Sequence, residues 1–311
     1  MNGRLRASET GSAATPAGGA AGGLRRELAH APMAAGTVRA RIGSWRAYAL
    51  PAAILLVVAA PFYWIFTSSI KVPPEIIQVP PTLVPRSFTL EHYLKLFRYT
   101  EYPRYLANSL YVAGLTMLIT LGLSVPAAYS LYRLRFPGRE AIRRALLLTY
   151  IFPGILLLVP LYRLLTSLGL LDRLFGLVFV NVTFAAPFAT WLLQAFFTRV
   201  PQELEESAAL EGASRMRTLA LVILPVVRPG LGAVAIYAFL SSWTEYLFAS
   251  VLIIDNVRYT LPVGLAGIIG QYQVDWGMLA AGAVVMTAPV VVLFAFVGRA
   301  FVEGLMEGAI K

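Results

Sequence analysis

A single carboxylate, Glu245, lies within a long apolar stretch, close to the residues Ser241, Ser242 and Trp243. A charge in an apolar environment is costly, so such a carboxylate usually faces a bundle interior or a wet cavity. Asn181 is a weaker polar candidate in another apolar stretch, because amides at such positions more often join two helices. These five residues are therefore candidates for a path followed by a polar solute. A structural carboxylate bonded to a neighbouring helix is an equal alternative for Glu245.

The residue types required for several kinds of catalysis are missing from the sequence. The chain contains no cysteine, which excludes disulfides, thiolate catalysis and cysteine metal sites. His30 and His92 have no companion at metal-ligand spacing, and we interpret both as surface residues. A phosphate-binding loop needs a Gly-Lys pair, whereas Lys71, Lys95 and Lys311 follow Ile, Leu and Ile. We therefore predict that the chain is not an ATPase, and that energy comes from a partner or an ion gradient.

Six apolar stretches must position these residues. Hydrophobic residues make up 58% of the 311 residues and charged residues 14%, against about 25% charged in soluble proteins. Each stretch is long enough to cross a hydrocarbon core of about 30 Å as a helix. A soluble all-helical protein would need charged helix faces, which these stretches lack. We predict an all-α integral membrane protein with six transmembrane helices, at about 47–69, 107–131, 145–167, 175–197, 228–253 and 277–298.

The first 46 residues have a different composition. Residues 1–46 are rich in Ala, Gly, Ser, Pro and Arg without apolar periodicity, which predicts a disordered cytoplasmic tail. Arg25 and Arg26 are followed by charge and proline rather than by an apolar core, which argues against a signal peptide. Residues 47–311 are predicted to form one transmembrane domain, with a cytoplasmic loop at 198–227.

The placement of arginine predicts the orientation of the helices. Residues 132–144 contain five arginines, and the N-terminal tail, the 198–228 loop and the C-terminus hold most of the other basic residues. Because Lys and Arg concentrate in cytoplasmic loops, both termini are predicted to be cytoplasmic. This topology explains the net charge of +10 better than nucleic-acid binding does. The outer 70–106 loop combines Pro-rich chain with a predicted short helix, FTLEHYLKLFR.

The segment from Pro201 to Pro225 has the pattern of two short helices outside the bilayer. Proline suits a first helical turn, and the carboxylates at 203, 205 and 206 complement the positive end of the helix dipole. Gly212 is suited to ending this helix in a left-handed conformation, and Ser214 to capping a second helix. Small residues between them leave a low surface that another protein could approach.

This segment resembles the EAA loop of ABC-importer permeases, in which Glu-Ala-Ala, a Gly and Ile-x-Leu-Pro follow one another at fixed spacing. The matching residues are Glu206-Ser207-Ala208, Gly212 and Val222-Ile223-Leu224-Pro225, with departures only at Ser207 and Val222. The sequences SSWTEYLFASVLI, YTLPVGL and RAFVEGLMEGAIK look like those of the smaller permease of maltose-type carbohydrate importers. The resemblance covers residues 45–311.

The resemblance implies a type I ABC-importer permease fold in the cytoplasmic membrane of a bacterium or archaeon. The implied partners are a homologous second permease, two ATP-binding subunits and an extracytoplasmic solute-binding protein. No cofactor is expected on this chain, because ATP and Mg would lie on the partner subunits. A cytoplasmic coupling helix would dock on an ATP-binding subunit through Glu205, Glu206, Ser207, Ala208, Ala209, Glu211, Gly212 and Ala213.

The predicted function is therefore the import of a sugar or a related solute. An ion-coupled secondary transporter and a non-transporting membrane scaffold are the alternatives. The first would show inverted repeats and charged residues near mid-membrane, and the chain shows neither clearly. Neither alternative gives the 201–225 segment a role. Co-purification separates the three, because only an ABC permease requires a stoichiometric ATP-binding subunit.

Overall fold

The structure, a computed structural model, describes residues 46–149, 151–269 and 274–309, and within these ranges the side chains from 48 to 295. Residues 1–45 of the predicted tail, with His30, lie outside the described residues, as does Lys311. The chain divides into two compact units, Met1–Leu56 and Val57–Lys311. Only the beginning of one helix is described in the first unit, so the packing below is that of the second.

The described residues are almost entirely helical, which confirms the predicted all-α class; β pairing among them is limited to isolated bridges. Three described helices are not α-helices, namely the 3-10 helices Gly154–Leu157 and Asn256–Arg258 and the π-helix Leu219–Ile223. In chain order the α-helices are α1 Arg46–Ser69, α2 Pro73–Ile77, α3 Glu91–Tyr99, α4 Tyr102–Arg133, α5 Arg139–Leu148, α6 Leu158–Ser167, α7 Leu174–Phe197, α8 Gln202–Leu210, α9 Arg215–Thr218, α10 Leu224–Val226, α11 Arg228–Trp243, α12 Leu247–Leu252, α13 Leu261–Ala266 and α14 Trp276–Ala309.

Four described helices contain segments long and apolar enough to cross a membrane, namely Tyr48–Ser69, Tyr102–Arg133, Leu174–Phe197 and Trp276–Ala295. They coincide with the first, second, fourth and sixth predicted spans. Helix α11 passes the same test only together with the segment Arg215–Val226, from which it is bent by 85°. The 215–226 segment therefore runs almost at right angles to α11. Helix α3 matches the short helix predicted in the outer loop.

The third and fifth predicted spans are not continuous helices. Helix α5 ends at Leu148, and the next described helix begins at Gly154, directly after Pro153. Proline has no N–H to donate and disfavours the helical conformation of the residue before it, so it breaks the span here. The fifth span is divided between α11 and the short α12, with residues 244–246 between them.

Helix α4 is the centre of the packing and lies against both α7 and α11. Three apolar clusters surround it, and the second joins the ends of α4 and α7 to the segment after α8. Representative buried members are Leu165, Val178 and Phe248 in the first, Tyr129, Phe197 and Ile223 in the second, and Leu96, Tyr102 and Trp243 in the third.

His92 is not a surface residue, so the prediction for it is wrong. Its side chain is fully buried, with Nε2 2.8 Å from the Lys71 carbonyl oxygen and Nδ1 3.7 Å from the Asp275 carboxylate. A Cβ at Gly277 would lie 2.1 Å from the imidazole ring, so only glycine fits beside it. These contacts are long-range in sequence, and the local pattern around His92 did not contain them. Among the described residues, no group of three potential ligands could hold a metal ion.

Asp172 ties the turn before α7 to the chain after α12. Its Oδ1 accepts hydrogen bonds from the N–H groups of Ile254 at 2.9 Å and Asp255 at 3.0 Å, and its Oδ2 accepts one from the Arg258 guanidinium. Partial burial opposes ionisation, but these donors outweigh it and hold the pKa of Asp172 below its usual value.

We expect Asp172→Asn to destabilise the purified protein by about 1 kcal/mol at neutral pH, because the charge opposite Arg258 is lost. Asparagine also accepts the positive φ of 56° at this position, so the backbone is matched. The folded pKa lies below the unfolded one, so the stabilisation is present above the unfolded pKa and is lost as pH falls through the folded pKa. Thermal unfolding in detergent should therefore show a difference between the proteins that shrinks in acid. A pH-independent difference would contradict this role.

Candidate functional site

Helix α8 is the first helix of the predicted cytoplasmic element. It begins at Gln202, one residue after Pro201, which has φ −59° and ψ 140°. Glu203 and Glu205 lie in its first turn, where carboxylates complement the free N–H groups and the helix dipole. The predicted short helix is therefore present, with its start shifted by one residue.

Gly212 ends α8 in the left-handed conformation, at φ 81°, as predicted. The N–H of Gly212 donates to the carbonyl of Ala209, and the N–H of Ala213 donates to that of Ala208, both at 3.0 Å. These two bonds define a Schellman cap. A Cβ on Gly212 would meet no heavy atom within 4 Å, so the backbone angle, and not space, selects glycine.

Ser214 caps the second helical segment, as predicted. Its Oγ accepts a hydrogen bond from the N–H of Arg217 at 3.4 Å. The segment continues through α9, the π-helix and α10 to Val226, one residue beyond Pro225. A π-helical turn is uncommon and frequently accompanies a functional site.

Helix α8 has an inner and an outer side. Ala208 is buried, and Glu205 and Ala213 are half-buried. The remaining predicted docking residues are exposed, and they are Glu206, Ser207, Ala209, Glu211 and Gly212. Most of the predicted set is thus accessible to solvent, whereas Glu205 is directed towards the body of the chain.

The sequence pattern missed Leu210, the last residue of α8. Its side chain is 90% exposed. Four further large apolar side chains of the same element are exposed, namely Leu204, Met216, Leu221 and Val226. Single exposed apolar residues are normal, but several in one short element indicate a surface that another molecule covers. The signal in the sequence was a leucine outside the spans, directly before the Glu-Gly end of the helix.

An open cavity of about 520 Å³ lies between α8 and the C-terminal end of α4. Its lining includes the basic residues Arg133, Arg135 and Arg215 and the acidic residues Glu205 and Glu206. Basic and acidic side chains therefore face one another in this cavity, where the 201–226 segment meets the end of α4.

Three of the predicted path residues are buried links between helices. The Asn181 amide donates to Ser242 Oγ at 2.8 Å, and Ser242 Oγ donates to Thr116 Oγ1 at 3.4 Å. This chain of bonds joins α7, α11 and α4. Trp243 Nε1 donates to the carbonyl of Met286 at 3.1 Å and so joins α11 to α14.

The other two predicted path residues, Ser241 and Glu245, are more accessible. Ser241 is exposed, and its hydroxyl donates to the carbonyl of Ala238. The two oxygens of Glu245 accept from the N–H groups of Phe248 at 2.6 Å and Ala249 at 2.9 Å. Glu245 therefore caps the start of α12. A place on a transport path for these residues stays a prediction.

Residues 104–305 match the family model described as "Binding-protein-dependent transport system inner membrane component". This range contains the whole of the α8 element and both sets of candidate residues. The chain belongs to this family, whose members are the permease subunits of ABC importers. It is therefore a non-catalytic, multi-pass protein of the cytoplasmic membrane.

Similar proteins support this membership. The chain is 36% identical to the inner membrane ABC transporter permease protein YcjP of Escherichia coli (strain K12), over 87% of this chain and 96% of that protein. It is 36% identical to the trehalose transport system permease protein SugB of Mycobacterium tuberculosis, over 81% and 92%. It is 34% identical to the trehalose/maltose transport system permease protein MalG of Thermococcus litoralis, over 81% and 91%. The resemblance to maltose-type permeases is confirmed.

A solved structure with a similar fold is that of a bacterial ABC transporter involved in the import of the acidic polysaccharide alginate. The TM-score is 0.73 at 23% sequence identity, and the match covers 81% of this chain and 94% of that chain. This likeness concerns the fold, and it confirms the predicted type I ABC-importer permease architecture.

We expect Gly212→Ala to loosen the end of α8, because a left-handed backbone costs about 1–2 kcal/mol for a residue with a Cβ. Amide hydrogen exchange in residues 202–213 should become about tenfold faster. Gly212→Asn should be milder, since asparagine tolerates this conformation. Gly122→Ala is the matched control, because Gly122 also has open space for a Cβ but lies within α4. Equal exchange in the Gly212→Ala protein and in the wild type would contradict the cap's role.

Proposed function

We propose that the chain forms part of the passage by which a sugar or sugar-containing solute enters the cell in an ATP-driven importer. The choice of a sugar as the solute rests on the solutes for which similar permeases are named. Permeases named for trehalose, trehalose/maltose, diacetylchitobiose and maltodextrin are 33–36% identical to this chain over most of its length.

The proposed complex contains this chain, a homologous second permease, two ATP-binding subunits and an extracytoplasmic solute-binding protein. The description of the family as binding-protein-dependent supports the last of these. The exposed outer side of α8, with Leu210 at its end, supports a docked subunit at this element. ATP and Mg are proposed to bind to the ATP-binding subunits, since the sequence has no Gly-Lys pair of its own.

The α8 element is proposed to lie on the cytoplasmic side together with both termini and the arginine-rich 132–144 segment. Movement of the docked subunits then displaces α8, and α8 in turn displaces α4, α7 and α11. Packed helices have a few discrete arrangements rather than a continuous range. The two permeases accordingly switch as bodies between inward-open and outward-open states, and the solute passes between them.

We expect Leu210→Asp and Glu206→Ala each to weaken association with the ATP-binding subunit. The effect of Leu210→Asp should be tenfold or more, because docking would then bury an unpaired charge where the wild type buries an apolar side chain. The measurement is titration of the ATP-binding subunit onto the permease in lipid nanodiscs. Leu83→Asp is the matched control, since Leu83 is 67% exposed in the outer loop. A single cysteine introduced at Ser207, in a chain without native cysteine, gives an independent cross-linking readout. Wild-type affinity in both variants would contradict docking at α8.

We expect the ATPase activity of the reconstituted complex to rise several-fold when the cognate binding protein carries its sugar. A panel of trehalose, maltose, maltodextrins and chitobiose, with amino acids and peptides as comparison solutes, tests the solute class. Import of the labelled solute into proteoliposomes should follow the same order. The matched control is the complex without binding protein. Stimulation by an amino acid or peptide, and by no carbohydrate, would contradict the proposal.

A further inference from the structure

The Glu205 carboxylate faces the body of the chain rather than the outer side of α8. Its Oε1 lies 2.5 Å from Nε of Arg133, the last residue of α4. Its Oε2 accepts a hydrogen bond from the Tyr129 hydroxyl at 3.1 Å. Tyr129 and Arg133 are four residues apart and so lie on the same face of α4. One carboxylate thus joins α8 to two adjacent positions of α4.

Arg133 makes a second contact with the same loop. Its Nη2 donates to the carbonyl of Val200 at 2.6 Å, in the turn between α7 and α8. Arg133 therefore holds both the turn before α8 and a side chain on α8. The planar guanidinium thus makes an ion pair with Glu205 and a hydrogen bond to Val200, whereas a lysine ammonium is a compact point charge on a flexible stem.

The Arg133–Glu205 pair is shielded from solvent. The two side chains are 14% and 17% exposed, against 31% and 55% for the Arg143–Glu140 pair of α5. Tyr129 is buried and packs edge-on against Phe197. Exposed ion pairs contribute little, but removing one member of a shielded pair leaves an uncompensated charge.

Apolar packing alone holds α8 weakly. Ala208 is the one buried side chain of α8, all of whose residues are described. A single methyl group removes little apolar area from water, and hydrophobic stabilisation is proportional to that area. The polar contacts of Glu205 therefore account for much of what fixes α8 against α4.

We propose that Arg133, Glu205 and Tyr129 form a clamp that fastens α8 to α4, and that Glu205 acts in this clamp rather than in docking. The inference rests on the proposed function, in which movement of the ATP-binding subunits enters at α8. Through the clamp that movement passes to α4, the helix that packs against α7 and α11. Arg133 and Glu205 are thus positioning residues for coupling, while the outer side of α8 makes the docking contact.

Charge reversal in the complete reconstituted complex tests the clamp. Arg133→Glu and Glu205→Arg should each lower solute transported per ATP hydrolysed by about tenfold, because each places two like charges in a shielded contact. The ATP-binding subunit should co-purify in wild-type amounts. The double variant restores opposite charges and should recover a large part of the coupling. Arg144→Glu is the matched control, since Arg144 is a 76% exposed arginine on the neighbouring α5, and it should leave coupling unchanged.

Glu205→Gln keeps the shape of the side chain and covers the case in which a reversed charge prevents folding. It should lower coupling several-fold, with normal yield and normal association. Wild-type coupling in the Glu205→Gln complex would overturn the clamp. Loss of association in that complex would also overturn it, because Glu205 would then be a docking residue. If the wild-type chain itself binds no ATP-binding subunit, the proposed function fails first, and the two failures are thereby distinguished.

Discussion

The hydrocarbon core of a membrane offers no water to an unpaired N–H or C=O group, and this constraint governs where the helices of this chain break. Each break must find its hydrogen-bond partners within the protein. Glu245 supplies two acceptors to the N–H groups at the start of α12. Asn108 supplies two donors to the carbonyls of Val257 and Tyr259, in and directly after the short 3-10 helix Asn256–Arg258 that follows α12. Polar residues near the spans thus permit the irregular backbone of this fold.

The buried hydrogen bonds between helices also favour movement of the connected helices as one body. The bonds among Asn181, Ser242 and Thr116 connect three helices in the interior. Breaking one of them would leave a buried polar group without a partner, which costs more than the net value of the bond. A movement of these three helices together preserves the bonds, whereas sliding of α7 past α11 would break them. These bonds therefore favour movement of α4, α7 and α11 together.

Local sequence signals predicted those features that depend on a few neighbouring residues. The lengths of four of the predicted spans, the Gly212 cap and the Ser214 cap are of this kind, and the structure has them. The burial of His92 and the direction of Glu205 depend on contacts with residues 21 or more positions away, such as Lys71 and Arg133. Helical period groups Glu205 with Ala208 on one face, but it does not say which face meets the body of the chain. Pro153 was visible in the sequence, yet proline is tolerated inside α4 and α7, so its presence alone did not predict a break.

A nine-residue helix passes on a movement only if both its ends are fixed, because a loosely attached element changes orientation without displacing its neighbours. The Schellman cap at Gly212 fixes the far end by backbone hydrogen bonds that need no partner from the bundle. The near end has no such cap, since Pro201 provides no side-chain hydrogen bond to the first turn. Arg133 reaches this end through the Val200 carbonyl and reaches α8 itself through Glu205. The end without a local cap is therefore the end held by α4, so a movement imposed on α8 is passed to the centre of the bundle.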